Sequence, residues 1–424
     1  MTLTSCQQKA LDNFKKFLIT PHTREFLLTG MGGSGKSFLI PEFLKAAVKM
    51  TEVNQVLTGT TTPIVSSIHF ASPTHKAASI LTDYLSTVNS SYHVQTIHSL
   101  FRLKRVINED TGKEEYFKPK NINLPFDAYS ILFIEESSMV GEYLHKIILK
   151  YYPKTAKIVW LGDILQLPPV KESIPAVLVN THGLYQSELV TPVRFDNPEL
   201  IALNQELRTA VVEQRLPKFK RSKYVYSLDK NQFIQSILQN DFYNENIKVL
   251  AWTNKKVGYY NKLIKEHIFQ GKPSINSFHI DERIVAKKTI INPKYSTRIH
   301  SQAEMVIKDI QTTTLPIENE LLEFSVLSTT RGQFTVPVNH SKALQAIQHL
   351  KKSGTWKKWY EYNDEFAQLF SPYSFTIHQS QGSTYSKIYV DLPDILKNRN
   401  KNEVYRLLYV ACSRAKSELI LLEE

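Results

Sequence analysis

The sequence predicts an α/β fold built on two parallel sheets, and three observations carry that reading. Short, wholly apolar runs recur along the chain, each followed by a polar loop. Strands buried on both faces look like this, with functional groups gathered at their C-terminal ends. One of those loops is glycine-rich and leads into a helix-compatible segment. The runs also fall into two sets separated by a long stretch of different character, and 424 residues are too many for one ordinary core.

Leu11, Phe14 and Leu18 stand at helical spacing, so the opening segment is expected to be an amphipathic helix. Phe26-Leu27-Leu28 is the first strand, and further strands are expected at 68–71, 131–134 and 158–161. A second set lies at 249–252, 388–390 and 419–422. Two stretches break the rhythm. Residues 102–120 are charged, and Asn108-Glu109-Asp110-Thr111-Gly112 is a turn cluster between β-compatible flanks, which predicts an exposed hairpin. Residues 276–372 hold many short β-like runs and then a Lys- and Trp-rich segment, expected to be an inserted small β domain with a helical extension. The expected domains are therefore 1–187, with the hairpin insertion at about 101–125; 188–275 together with 373–424; and the insertion 276–372.

Hydrophobic residues make up 42% and charged residues 22%, which excludes a disordered chain. A formal net charge of +12 favours a polyanionic partner, because each neutralised phosphate releases condensed counterions. The cysteines, Cys6 and Cys412, belong to no CxxC or His-rich cluster, so neither a disulfide framework nor structural zinc is expected. No window approaches the roughly eighteen apolar residues of a membrane span. The expectation is a soluble protein of the cytoplasm, or of a host cell's cytoplasm if viral, with no membrane partner.

Gly30-Met31-Gly32-Gly33-Ser34-Gly35-Lys36-Ser37 matches GxxxxGK[ST] between a strand and a helix, the context that phosphate binding requires. The glycines let backbone N–H groups approach phosphate oxygens at a helix N-terminus. Lys36 would reach the β- and γ-phosphates, and Ser37 would ligate Mg²⁺. The apolar run 131–134 ends in Glu135-Glu136; beside a P-loop, one carboxylate organises the Mg²⁺ shell and the other orients or deprotonates water. Gly162-Asp163-Ile164-Leu165-Gln166 follows the strand at 158–161, where Gln166 can meet both water and γ-phosphate. In isolation a turn-forming Gly-Asp would be the plainer account of that stretch.

Taken together and in this order, the motifs resemble those of superfamily 1 helicases, and the stretch from Gly162 to Val170, GDILQLPPV, is similar to the third motif of the RecD/Dda branch. Leu3-Thr4-Ser5-Cys6-Gln7 resembles the N-terminal glutamine motif, which implies that Gln7 reads adenine. Pro73-Thr74-His75-Lys76-Ala77-Ala78 and Thr96-Ile97-His98-Ser99-Leu100 resemble two DNA-contacting motifs of the first motor. Val193-Arg194 stands where the family supplies an arginine to the nucleotide, and Ala251-Trp252-Thr253-Asn254 resembles the first strand and loop of the second motor. The stretch from Phe375 to Thr384, with Thr376, His378 and Gly382, resembles motif five, and that from Tyr409 to Ala415, with Arg414, motif six. The likeness runs from residue 3 to about 422 and is strongest to Dda-type helicases of phage, 5′→3′ translocases.

The resemblance implies two RecA-like P-loop motor domains, a β-hairpin in the first and a small SH3-like β insertion in the second. It implies ATP and Mg²⁺ as ligands, with Lys36, Glu136, Gln166, Arg194 and Arg414 catalytic and Ser37 and Glu135 at the metal. It implies DNA contacts from Thr74, His75, Lys76, Thr96, His98, Asn254, Thr376, His378 and Thr384, although each histidine is equally open to a structural role. The chain departs from the family at Glu135, where Asp is usual. The 108–112 turn is a candidate strand-separating pin, with Tyr116 or Phe117 stacking on the last base pair; a plain surface hairpin is the alternative. Trp356-Lys357-Lys358-Trp359-Tyr360 suits stacked bases and phosphates, but an amphipathic helix that buries its tryptophans ranks ahead.

The expected activity is ATP-driven unwinding of duplex DNA from a single strand, by a monomer whose partners are single-stranded and forked DNA and proteins of replication or recombination. A DNA-dependent ATPase that displaces bound proteins with little unwinding is the second reading. A basic DNA-binding protein with an inactive nucleotide site is the third, favoured only by Glu135.

Overall fold

The computed structural model describes residues 3–59, 63–89, 91–107, 114–169, 172, 175, 177, 184–191, 193, 197–292 and 295–423. The chain forms two compact units. One comprises Met1–Leu103, Pro119–Ser227 and Ile377–Glu423; the other comprises Lys104–Lys118 and Leu228–Thr376. The C-terminal segment groups with the P-loop half, and the hairpin groups with residues 228–376.

The first unit holds a six-stranded parallel sheet in the order Val94–Thr96, Ser67–Ser72, Ser130–Ile134, Lys157–Gly162, Glu25–Gly30, Tyr185–Leu189. Strand Ser130–Ile134 is buried at every residue because apolar side chains cover both faces of the sheet, which is why its sequence does not alternate. On one face Phe14 stacks on Phe43, with ring centroids 4.1 Å apart, and meets Phe26 edge-on. That cluster fixes helices Ser5–Ile19 and Ile40–Thr58 against the strand that feeds the P-loop. On the other face Trp160 and Tyr152 anchor a second cluster. Lys157 Nζ donates to the carbonyls of Phe17, Thr20 and Thr23, tying the end of helix Ser5–Ile19 and the turn after it to the sheet. Burial pushes that ammonium down to about 8.

Within the same unit, strands Tyr385–Asp391 and Ala415–Leu422 pair in parallel, linked by helix Lys401–Cys412. Seven of that helix's residues are buried, from Val404 to Cys412, and they lead directly into Arg414.

In the second unit, strand Ile247–Ala251 pairs in parallel with Ser374–Thr376. An antiparallel sheet follows the order Gly332–Pro337, Glu320–Thr329, Glu304–Ile317, Arg283–Ala286, Leu369–Phe370. The far end of its long hairpin, Ile317, Leu322 and Phe324, packs on Ala343, Ile347, Leu350 and Phe366. Trp359, from helix Trp356–Glu365, packs against this cluster while Lys357 stays exposed and Lys358 pairs with Glu318 at 2.8 Å. This segment is an amphipathic helix with its lysines turned outward.

The hairpin is present as strands Lys104–Ile107 and Glu114–Phe117. The turn Asn108–Gly112 lies outside the described residues. Tyr116 pairs with Arg105 and Phe117 with Lys104, at the end of the ladder remote from the turn. Arg105 also forms an ion pair with Asp364, and its guanidinium lies over the Tyr360 ring at 5.6 Å.

Candidate active site

The strand Glu25–Gly30 delivers the P-loop, whose tight turns need backbone conformations open to glycine. Gly33 and Gly35 have φ of 81° and 87°. A Cβ at Gly35 would also lie 2.6 Å from Gln7 Nε2, so glycine is required on both counts. Gln7 is almost fully buried, and its amide is engaged on each side. Nε2 donates to the Ser34 carbonyl at 3.3 Å, and Oε1 accepts from the Thr4 N–H at 3.0 Å within a capping box that starts helix Ser5–Ile19. Gln7 therefore ties the first helix to the P-loop. On the opposite side of the loop, Val193 N–H donates to the Gly33 carbonyl at 2.9 Å. Arg194 lies outside the described residues.

Lys36 Nζ donates to the carbonyls of Gly30 and Met31 at 2.7 and 3.1 Å, folded back across the mouth of the loop. Ser37 Oγ donates to Glu135 Oε1 at 3.0 Å. Despite its extra methylene, Glu135 thus reaches the hydroxyl that a metal would share. Glu136 follows in the left-handed region, with φ 54° and ψ 43°, a strained conformation for a residue with a side chain. Gly162, at the end of the next strand, lets the chain approach closely: a Cβ there would be 2.5 Å from Ser137 Oγ.

A cavity of about 500 Å³ connects these groups, lined by Gln7, Lys36, Glu136, Gln166, Gly382 and Arg414 among others. Gln166 and Arg414 are 3% and 6% exposed, yet Gln166 Oε1 and Arg414 Nη2 have no hydrogen-bond partner among the described residues. The rest of Arg414 is held: Nε donates to the Val410 carbonyl and Nη1 to that of Ser383. Buried polar atoms normally find partners, so one free donor and one free acceptor in a common cavity fit a polar, anionic ligand. A triphosphate meets that description. Among the described residues no group of three or more His, Cys, Asp or Glu could hold a metal. The paired Ser37 and Glu135 oxygens fit Mg²⁺, which takes few protein ligands and draws the rest from phosphate and water.

Sequence reasoning missed the apolar wall of this cavity, Phe38 together with Ala77, Ile80, Leu81 and Tyr84. The last four recur at helical spacing on His75–Ser86, a signal that was available. It also did not connect Asp163 and Tyr409, both quoted within motifs, with Arg208 and Arg406; the four meet around the Gln166 loop.

Thr74 and Thr96, expected at DNA, and Thr253 share one local design. Thr74 caps helix His75–Ser86, Thr96 caps Ile97–Leu100, and Thr253, just before Asn254, caps Asn254–Ile268. Each follows a strand, and each hydroxyl accepts a backbone N–H of its own helix, so the hydroxyls of Thr74 and Thr96 are already engaged. Burial lowers the pKa of His98 and of His378, the latter against the opposing pull of Glu403. His75, Lys76 and Thr384 are half-buried in the first unit, and Thr376 is buried in the second. Phe117 is exposed at 46%.

The chain matches two family models: an AAA domain at residues 18–172 and a UvrD-like helicase C-terminal domain at 372–422. It is 23% identical over 502 residues to the uncharacterized protein R530 of Acanthamoeba polyphaga mimivirus, covering 97% of this chain and 98% of that one. It is also 23% identical over 463 residues to the ATP-dependent DNA helicase dda of Enterobacteria phage T4, covering 98% of each. Among solved structures, a Pif1 helicase from Bacteroides, in complex with ADP-AlF3 and ssDNA, shares the fold with a TM-score of 0.51 at 15% identity. That match covers 99% of this chain and 92% of the other.

Proposed function

We propose that this chain, which belongs to the superfamily 1 helicases of the RecD/Dda branch, couples ATP hydrolysis to 5′→3′ movement on single-stranded DNA and parts the duplex with its hairpin. The observation that carries the reading is the convergence of Lys36, Glu136, Gln166 and Arg414 on one cavity, with polar atoms of Gln166 and Arg414 left open toward it.

In this account the P-loop amides and Lys36 hold the β- and γ-phosphates, and Gln7 with the Ala77–Tyr84 helix face receives the base. Ser37 and Glu135 would hold Mg²⁺, which would offset the charge of the phosphates. Glu136 orients water and takes its proton as the γ-phosphoryl group leaves. Arg414 stabilises the charge that develops on that group, an effect worth about 10³-fold or more in rate. Arg194 is assigned the same task. Because Arg414 is carried by the C-terminal segment, loss of the γ-phosphate weakens that segment's hold on the P-loop half, and this change is what DNA contacts sense.

DNA phosphates are assigned to the threonine-capped helix starts. There the backbone N–H groups and the helix dipole attract anions, while the hydroxyls themselves fix the local geometry. His75, Lys76, His98, Asn254, Thr376, His378 and Thr384 complete a contact set that reads no sequence. The reading of a protein-displacing ATPase keeps one argument: Tyr116 and Phe117 stand at the root of the hairpin, so a wedge would have to act through its turn. A strand-displacement assay decides both points. Unwinding of duplexes with a 5′ single-stranded tail but not a 3′ tail is expected; unwinding from the 3′ tail, or ATP turnover without strand release on either, would reject the proposal.

A further inference from the structure

Loop 163–167, which carries Gln166, is fastened at four of its five residues to the C-terminal segment that carries Arg414. Tyr409 donates its hydroxyl to Asp163 Oδ2. Arg406, one turn earlier on the same face of helix Lys401–Cys412, donates Nη1 to the carbonyls of Ile164 and Gln166 at 2.8 and 2.7 Å. Gln381 Nε2 donates to the Leu167 carbonyl at 3.3 Å. Asp163 and Tyr409 are 1% and 0% exposed, and burial with the adjacent Asp163 carboxylate drives the phenol far above its ordinary range, so it stays a donor. Arg208, on helix Pro198–Val212, closes the network. Its Nη1 reaches Asp163 Oδ1 at 3.0 Å and the Tyr409 oxygen at 3.2 Å, and its Nη2 reaches Glu188 at 2.9 Å.

An ion pair this buried is costly unless fully hydrogen-bonded, and a plain structural clasp could have been apolar. Its placement gives it a use. The clasp joins the loop of the water- and phosphate-sensing glutamine to the helix whose end presents the arginine.

We propose that Tyr409 and Arg406 are positioning residues for hydrolysis: they lock the Gln166 loop to the Arg414 helix, so that both side chains engage the γ-phosphate as one event. This inference rests on the nucleotide site proposed above. Neither residue touches the reacting atoms; each acts through Gln166 and Arg414.

The test is steady-state, DNA-stimulated ATPase of the full chain carrying Tyr409→Phe, with Arg406→Met as a second variant. Tyr409→Phe keeps the ring volume and leaves Asp163 paired with Arg208, so folding should survive. The expected result is a fall in kcat of about tenfold or more with the KM for ATP nearly unchanged. In a Gln166→Ala background the same change should cost clearly less than in the unmodified chain, because one of the two side chains through which it acts is already gone. A kcat within about twofold of the unmodified chain, or a full multiplicative loss on top of Gln166→Ala, overturns the proposal. Lys36→Ala separates this from the underlying reading. If Lys36→Ala abolishes turnover while Tyr409→Phe is silent, the coupling alone is wrong; if Lys36→Ala retains turnover, the nucleotide site falls and the coupling with it.

Discussion

Gly382 faces Glu136 so closely that a Cβ added to it would lie 3.2 Å from the carboxylate oxygen Oε1. Gly382 also has φ of 73°, as Glu136 has φ of 54°, so two left-handed residues meet at the point assigned to the attacking water. Gly382→Ala should therefore cost about 1 kcal/mol of stability from its backbone alone. It should also displace Glu136, lowering kcat more than the KM for ATP. Thermal unfolding and ATPase kinetics measured on one preparation check this; an unchanged kcat would remove Glu136 from the role of base.

The direct bond between Ser37 Oγ and Glu135 Oε1, at 3.0 Å, predicts that Glu135 performs the metal-organising task usually given to Asp. Glu135→Gln keeps the shape and removes the charge. The Mg²⁺ concentration for half-maximal ATPase should rise about tenfold or more, the usual penalty for losing such a partner. A Mg²⁺ titration that superimposes on that of the unmodified chain would contradict it.

The residues proposed to hold nucleotide stand out in the sequence because their motifs are local. GxxxxGK[ST], the acidic pair and the Gly-Asp-x-x-Gln run each lie within a few residues, next to strands that are apolar throughout. The Asp163–Tyr409–Arg208 network was not legible, since it joins residues 45, 201 and 246 positions apart whose types alone suggest no common site. The hairpin was found from its turn cluster, but its register was not. Pairing of Lys104 with Phe117 puts the aromatic residues at the root, and only the strand ladder shows that. The capping role of the threonines was likewise not read from the sequence: only the structure shows that the Thr96 hydroxyl caps the helix that it begins.

If the hairpin parts strands, its footing on helix Trp356–Glu365 matters. Arg105→Asp should slow unwinding while sparing DNA-stimulated ATPase, and adding Asp364→Arg should restore it. The effect should not exceed about fivefold, because a partly exposed ion pair contributes about 1 kcal/mol at most. Equal losses of ATPase and unwinding would place Arg105 outside strand separation.

Arg215 grips Glu206 through two nitrogens, at 2.5 and 3.0 Å, and the Lys218 N–H adds a third bond at 2.7 Å. These bonds hold the Glu206 carboxyl at about 2, against an ordinary 4.5. A carboxyl depressed in the folded state contributes stability above its unfolded value, and that contribution is lost as pH falls from 4.5 through about 2. The thermal midpoint of Glu206→Gln should thus lie below that of the unmodified chain at pH 7, and the gap should close across that acid window. A gap independent of pH would show that packing, not charge, holds the pair.

The most direct measurement is phosphate release from ATP, with Mg²⁺ and single-stranded DNA present, by the unmodified chain and by Arg414→Ala. The account predicts DNA-stimulated turnover in the first and a loss of about 10³-fold in kcat in the second, with ATP affinity largely kept. Turnover preserved in Arg414→Ala with only affinity reduced, or no phosphate released by the unmodified chain while it binds DNA, would contradict it.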